Sequence, residues 1–241
     1  MKKIALLGDV HGNIQSLNTV MQSIENHKIY SFIFCGDYVG YYYNPDAVIS
    51  EIRKLKSYSV IGNHDKKLLD LKQEKSSNRS ELLYKYYKEY GSGLEVALKT
   101  LGGENINWLT NLPKILNLKI ENLNCTIFHG TPFSTEEYLY PDTPMSSFEI
   151  FMIGSDTKLF IGGHSHYQFL KRIGCKFYIN PGSIGQSRDI RGKAAWAILT
   201  VNDCEFKVEF MRTAYNFHEV AIMAQKLDPH IPYLQDIFTR F

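Results

Sequence analysis

The sequence predicts an α/β fold, and three observations predict it. Apolar runs of strand length alternate with helix-period stretches as far as about residue 61. A helical interval follows, and strand-like runs then dominate to about residue 211. The breaks after several strands carry glycine beside aspartate, asparagine or histidine, which marks a ligand-bearing sheet edge rather than a set of plain turns.

Residues 3–7 form a short apolar run, and Ile14, Leu17, Val20, Met21 and Ile24 then recur at helical spacing. Residues 31–35 read as a second strand. Asn44-Pro45 offers an N-cap and a first-turn proline to a helix that turns Val48, Ile49, Ile52 and Leu55 inward. Residues 58–61 make the third strand. Strand, helix, strand, helix and strand over so short a span imply parallel strands joined by right-handed crossovers.

From about 66 to 112 the pattern is mainly helical. Leu83, Tyr87, Tyr90, Leu94 and Leu98 form one apolar stripe that Gly102-Gly103 ends, and a shorter helix through Trp108 and Leu112 stops at Pro113. Strands return at 114–120, 123–128, 158–161, 169–173, 176–179, 194–201 and 205–211. Ser146, with Glu149 three residues on, predicts a capping-box helix to about Gly154. Helical sequence closes the chain at about 217–227 and again after Pro232. No repeat, low-complexity tract or linker divides it, so 1–241 is expected to be a single domain with a helical insertion at about 66–112.

Composition narrows the class. Hydrophobic residues make up 44% of the 241 and charged ones 22%, which excludes a disordered chain, a collagen and a disulfide-stapled mini-protein. With 27 basic and 25 acidic residues the net charge is +2, too little field to gather a large nucleic acid. Ile4-Ala5-Leu6-Leu7 stops at Gly8-Asp9, short of the roughly 7–15 apolar residues of a signal-peptide core. No run reaches the roughly 18–20 residues of a membrane span. A cytoplasmic protein without a membrane partner is expected. Cys35, Cys125, Cys175 and Cys204 are widely separated and are expected to be reduced core residues.

The chemistry sits in the breaks. Gly8-Asp9-Val10-His11-Gly12-Asn13 follows the first strand, Gly36-Asp37 the second and Gly62-Asn63-His64-Asp65 the third. His129-Gly130 and Gly162-Gly163-His164-Ser165-His166 follow later ones, so five of the eight histidines stand just beyond strand ends. Ligands in open α/β sheets bind beyond the carboxyl ends of the strands, which brings these loops together. A lone Gly-Asp is ordinarily a turn and a lone strand-end histidine ordinarily a hydrogen-bonding group. Collected, Asp, Asn and His without thiolate suit hard-to-borderline divalent metals, and their number suffices for two ions that clamp an in-line displacement at phosphorus.

The series Asp9-x-His11, Gly36-Asp37, Gly62-Asn63-His64-Asp65, His129 and Gly163-His164-x-His166 resembles the calcineurin-like metallophosphoesterase superfamily in order and spacing. Twenty-four residues separate His11 from Gly36, and 24 separate Asp37 from Gly62. Gly36-Asp37-Tyr38-Val39-Gly40-Tyr41 and Asn180-Pro181-Gly182-Ser183-Ile184-Gly185-Gln186 are similar to its small bacterial and archaeal branch. The resemblance implies a four-layer αββα sandwich of two mixed β-sheets. It also implies one metal held by Asp9, His11, Asp37 and His166, and a second held by Asp37, Asn63, His129 and His164. His64 would be the catalytic histidine beside the leaving group, with in-line attack by a metal-bridging hydroxide. Manganese is the first expectation for the two divalent ions, with iron, zinc, nickel or cobalt as alternatives. Asp65 is read either as orienting a neighbouring histidine or as a turn cap.

Two departures from the branch stand out. Gly-His-Ser-His replaces Gly-His-Thr-His and keeps the hydroxyl, while Ser187 stands where proline is frequent, before Arg188. Arg188 is read as a substrate-phosphate contact or as a surface arginine near Asp189. Tyr41, with Tyr42 and Tyr43, is read as a stacking surface for a base or aryl group, or as a packed loop. Residues 66–90 carry seven basic and four acidic side chains, either a cap for a polyphosphate or a solvated face or subunit contact, so a homo-oligomer stays open. The loop through Tyr138-Leu139-Tyr140-Pro141 is placed near the site. The expected function is hydrolysis of small phosphodiesters or nucleotide-like phosphoanhydrides. A phosphomonoesterase is the alternative. A non-catalytic scaffold, as in the retromer subunit of this fold that lacks the catalytic histidine, is a third reading that His64 opposes.

Overall fold

In the computed structural model, which describes residues 1–239, two five-stranded sheets face one another. The chain runs β1 (Lys2–Leu7), α1 (Ile14–Asn26), β2 (Phe32–Phe34), α2 (Pro45–Arg53) and β3 (Ser57–Ser59). Four helices follow: α3 (Asn63–Gln73), α4 (Ser76–Tyr90), α5 (Gly93–Thr100) and α6 (Gly103–Thr110). Next come β4 (Leu116–Ile120), β5 (Leu123–Ile127), α7 (Met145–Met152), β6 (Leu159–Ile161), β7 (Gln168–Ile173) and β8 (Lys176–Pro181). The chain continues through β9 (Lys193–Asn202), β10 (Glu205–Ala214), α8 (His218–Leu227) and α9 (Tyr233–Asp236).

The first sheet has the order β10-β9-β1-β2-β3, with β1, β2 and β3 parallel and β9 antiparallel to both β1 and β10. The second has the order β4-β5-β6-β8-β7, parallel at its centre and antiparallel at its rims. Alternation along the strands explains the layering. Ile4 and Leu6 of β1, with Ile33 and Leu199, face Cys125, Ile127, Leu159 and Ile179 across the inter-sheet core. Ala5 and Leu7 point the other way, onto Leu17, Val20 and Ile24 of α1 and Val48, Ile49 and Ile52 of α2. On the far side Phe160 and Tyr178 pack against Phe148, Phe151 and Met152 of α7. Helix, sheet, sheet and helix make the predicted four-layer sandwich. Among the described residues, no helix is long and apolar enough to cross a membrane.

Local expectations fail in four places. The single stripe over 83–98 is two helices, because Gly91 takes φ +82° and breaks the run before α5. The break has a packing reason: a Cβ on Gly93 would lie 1.5 Å from the Gly40 carbonyl oxygen, so two loops touch backbone to backbone there. Helix starts at Asn63 rather than near 66, which puts Asn63 and His64 on its first turn. Asn44 is the N-cap of α2 with Pro45 in its first turn, as expected, though its side chain makes no cap bond, whereas α7 is capped at Pro144, two residues too early for a Ser146 box. Cys35 and Cys125 are buried as expected, but Cys175 and Cys204 are exposed because they fall in the β7–β8 and β9–β10 turns.

Candidate metal centre

All seven expected ligands and His64 converge beyond the carboxyl ends of β1, β2, β3, β5 and β6, and all are buried. The loops are zipped to one another by backbone bonds. The N–H groups of Val10 and His11 both donate to the Asp37 carbonyl at 2.9 Å, and Gly163 N–H donates to the His129 carbonyl at 2.8 Å. Asp9, His11, Asp37, His164 and His166 all have φ between +51° and +68°. That left-handed region costs a non-glycine residue roughly 1–2 kcal/mol. Five such residues at one site mean that the surrounding bonds, not local preference, set where these side chains point.

Asp65 supplies the restraint at Asp37. Its carboxylate accepts the N–H groups of Asp37 (2.8 Å), Gly62 (2.9 Å), Tyr38 (2.9 Å) and Val39 (3.2 Å). It thus locks the Asp37 loop onto the start of α3, and its partners are backbone amides rather than a histidine. Burial and the neighbouring Asp37 push its pKa up to about 7, against four N–H donors that favour the anion. Asn180 and Ser183, from the Asn-Pro-Gly-Ser segment, do similar work. Asn180 donates to the Gly163 carbonyl (2.6 Å) and to Ser165 Oγ (3.0 Å), while Ser183 Oγ donates to the Asp9 carbonyl (2.7 Å).

The side chains form three overlapping groups that could each hold a metal: Asp9, His11 and His166; Asp37, His129 and His164; and His11, Asp37 and His64. Proton counting in the first is decisive. His11 Nδ1 lies 3.0 Å from the Val39 carbonyl, His166 Nδ1 lies 2.8 Å from the Gln186 carbonyl, and the two Nε2 atoms are 3.0 Å apart. These three short contacts each need a proton, and two neutral imidazoles carry only two. Burial holds His11 down to about 3 and His166 well below its ordinary value, so a third proton is not taken up near neutral pH. Lone pair then faces lone pair, an arrangement that a cation between the rings stabilises.

In the second cluster His129 Nδ1 donates to the Cys35 carbonyl (2.6 Å), and its Nε2 faces Asn63 Oδ1 (2.9 Å), His164 Nδ1 (3.1 Å) and Asp37 Oδ2 (3.3 Å). Burial opposes a charge on His129, but the Asp37 and Asp9 carboxylates outweigh it and lift its pKa to about 9. Burial and the nearby His129 depress His164 to about 3. Asp37 Oδ2 lies within reach of both clusters, 3.6 Å from His11 Nε2 on the other side.

His64 belongs to the third of these groups, with His11 and Asp37. Its backbone N–H donates to Asp37 Oδ1 (2.9 Å), and its ring packs edge-on to His11 and Tyr90 and tilted against Tyr41, with centroids 4.7–4.9 Å apart. Burial keeps the ring neutral. Gly40 permits this approach: a Cβ there would sit 2.7 Å from His11 Nδ1 and 2.8 Å from His64 Nδ1, and its φ is +133°.

Tyr41 is only 7% exposed, with its ring 4.6 Å from that of His11 and its hydroxyl accepting from Arg188 at 3.3 Å. The open ring is Tyr138, 43% exposed, stacked on His164 at 3.9 Å and parallel to Tyr140. Arg188 turns to Tyr41, Tyr138 and Gln186, all neutral oxygens, whereas Asp189 pairs with Arg212.

Comparison with known proteins agrees with this geometry. Residues 1–204 match the calcineurin-like phosphoesterase superfamily domain, and the chain belongs to that family. It is 32% identical over 231 residues to an uncharacterized protein of Methanocaldococcus jannaschii, covering 88% of each chain. Its fold is similar to that of a metallophosphoesterase from Sphaerobacter thermophilus (TM-score 0.73, 22% identity, 93% of each chain). It is also similar to that of a hypothetical protein from Pyrococcus horikoshii (TM-score 0.78, 21% identity, 98% of each chain).

Proposed function

We propose that this protein is a metal-dependent phosphoric ester hydrolase acting on small phosphodiesters or nucleotide-like phosphoanhydrides. Two divalent ions, manganese first, would be held by Asp9, His11, Asp37 and His166 and by Asp37, Asn63, His129 and His164. The observation that carries this reading is the proton count at His11 and His166, where two buried neutral rings aim lone pairs at one point. When bound, such ions supply water of lowered pKa and neutralise phosphoryl oxygens.

The chain's own residues divide the remaining work. His64, neutral and packed beside Asp37, has one ring N–H to offer the departing oxygen. Arg188, cationic and without a carboxylate partner among its contacts, attracts an anionic group, with Tyr41 and Tyr138 fixing its direction. Tyr138 and Tyr140 present faces on which a base or aryl group stacks. Lys67 is already committed to Glu136, so Arg188 and an aromatic wall favour a monoanionic diester over a dianionic monoester.

Metal-stripped protein resupplied with Mn²⁺ should cleave bis-para-nitrophenyl phosphate faster than para-nitrophenyl phosphate. A faster monoester would reverse the preference. No turnover of either ester with manganese, iron, zinc, nickel or cobalt would overturn the assignment.

A further inference from the structure

The loop after β5 contributes a residue that no sequence motif marks. Thr131 and Ser134 close it tightly, with Thr131 N–H donating to the Ser134 carbonyl (2.8 Å) and Glu136 N–H donating to Ser134 Oγ (3.1 Å). This turn swings Glu136 across to the first turns of α3. There one carboxylate oxygen accepts from Asn63 Nδ2 (3.2 Å) and the other from Lys67 Nζ (2.5 Å).

A primary amide has two faces of opposite character, and rotation by half a turn exchanges them. A carboxylate can accept but not donate, so it pairs only with the NH₂ face. With Glu136 on one side, the Asn63 carbonyl oxygen is left facing His129 Nε2, 2.9 Å away. Flipped, Asn63 would set its oxygen against the Glu136 carboxylate, a repulsive contact, and would offer the His and Asp cluster an N–H, which cannot ligate a cation.

We propose that Glu136 is a positioning residue for the Asp37, Asn63, His129 and His164 set, holding the Asn63 amide in its acceptor-inward orientation. The inference rests on the metal-binding reading above. Lys67 serves as the counter-charge to Glu136 and lies 5.7 Å from the Tyr90 ring centroid, so it anchors the carboxylate without touching the cluster. Outer partners of this kind typically carry 10–100-fold of metal affinity.

The test is Mn²⁺ titration by calorimetry on chelator-stripped protein, without any substrate, for wild type, Glu136→Ala, Glu136→Gln, Asn63→Ala and the Asn63→Ala/Glu136→Ala double variant. Circular dichroism and the metal-free melting temperature show whether each variant is folded. Wild type is expected to bind two ions per chain, and Glu136→Ala to weaken one of them by roughly 10–100-fold while sparing the other. Glutamine can meet either face of the amide, so Glu136→Gln should weaken the same ion by less. In the Asn63→Ala background the loss of Glu136 should change nothing further, a result that a general structural role would not produce. Wild-type affinity for both ions in Glu136→Ala, or a full additional loss in the double variant, overturns the role of Glu136 and leaves the metal reading standing. A wild type that binds no Mn²⁺ overturns both.

Discussion

The Asp65 carboxylate accepts the backbone N–H of Asp37 at 2.8 Å, so two buried acids are joined not side chain to side chain but carboxylate to main chain. The same carboxylate takes three more N–H groups and thereby fixes the left-handed turn that aims Asp37 at both histidine clusters. Asp65→Ala would leave these amides buried and unpaired. At about 1–3 kcal/mol for each unsatisfied group, partly relieved by relaxation, a loss of roughly 3–5 kcal/mol is expected. Urea unfolding of the variant checks this, and a loss below 1 kcal/mol would show that the amides find other partners.

Metal supply should stabilise the fold. A ligand that binds only the native state adds about 2.7 kcal/mol at one hundred times its dissociation constant. A chelator should therefore lower the melting temperature by several degrees, and Mn²⁺ should restore it. Asp37→Asn, which removes a charge facing both clusters, should abolish most of the response.

Chelated protein should have a stability maximum near pH 6.5. His11 and His164 fall to about 3 from an ordinary 6.5, so their contribution is complete above 6.5 and is lost as pH falls toward 3. His129 rises to about 9, so its contribution is complete below 6.5 and is lost as pH climbs through 9. Asp65, raised to about 7, acts in the same sense as His129 between 3.8 and 7. Thermal melts from pH 5 to 9 measure the curve. Mn²⁺ should move the maximum upward, because binding must displace the His129 proton.

His64→Ala should reduce kcat by roughly 10²–10⁴-fold while Mn²⁺ affinity stays within a few-fold of wild type, since His11 and Asp37, with which its ring groups, each keep the other partners of their own clusters. Loss of metal binding with the rate would make His64 a ligand instead.

Arg188→Ala should raise KM for a charged diester by roughly tenfold or more, the worth of one lost charge-assisted contact. Tyr138→Ala should weaken aryl and nucleotide diesters by about 1–3 kcal/mol while sparing an alkyl diester. Equal loss for both classes would remove the stacking role.

Much of the candidate metal centre was legible in the chain because its chemistry is local to strand ends. Gly8-Asp9-x-His11, Gly36-Asp37, Gly62-Asn63-His64 and Gly163-His164-x-His166 each place a ligand type beside a glycine after an apolar run, and parallel strands bring such ends together whatever the rest of the chain does. The helix boundaries were less legible. The stripe over 83–98 satisfies helical periodicity, but Gly91 breaks it because Gly93 must reach the Gly40 carbonyl, a contact between residues far apart in sequence. The cap signal at Ser146 was overridden, with α7 starting directly after Pro144.

Residue types at strand ends determined the family, the layered fold and the set of groups able to hold metal. Only the tertiary structure decided their roles relative to one another. It buried Tyr41 and left Tyr138 open, turned Asp65 onto four amides, sent Arg212 rather than Arg188 to Asp189, and brought Glu136 to Asn63. The physical reason is range: strand and ligand patterns repeat within a few residues, whereas the orientation of an amide or a guanidinium depends on a partner that only folding brings within 3 Å or so.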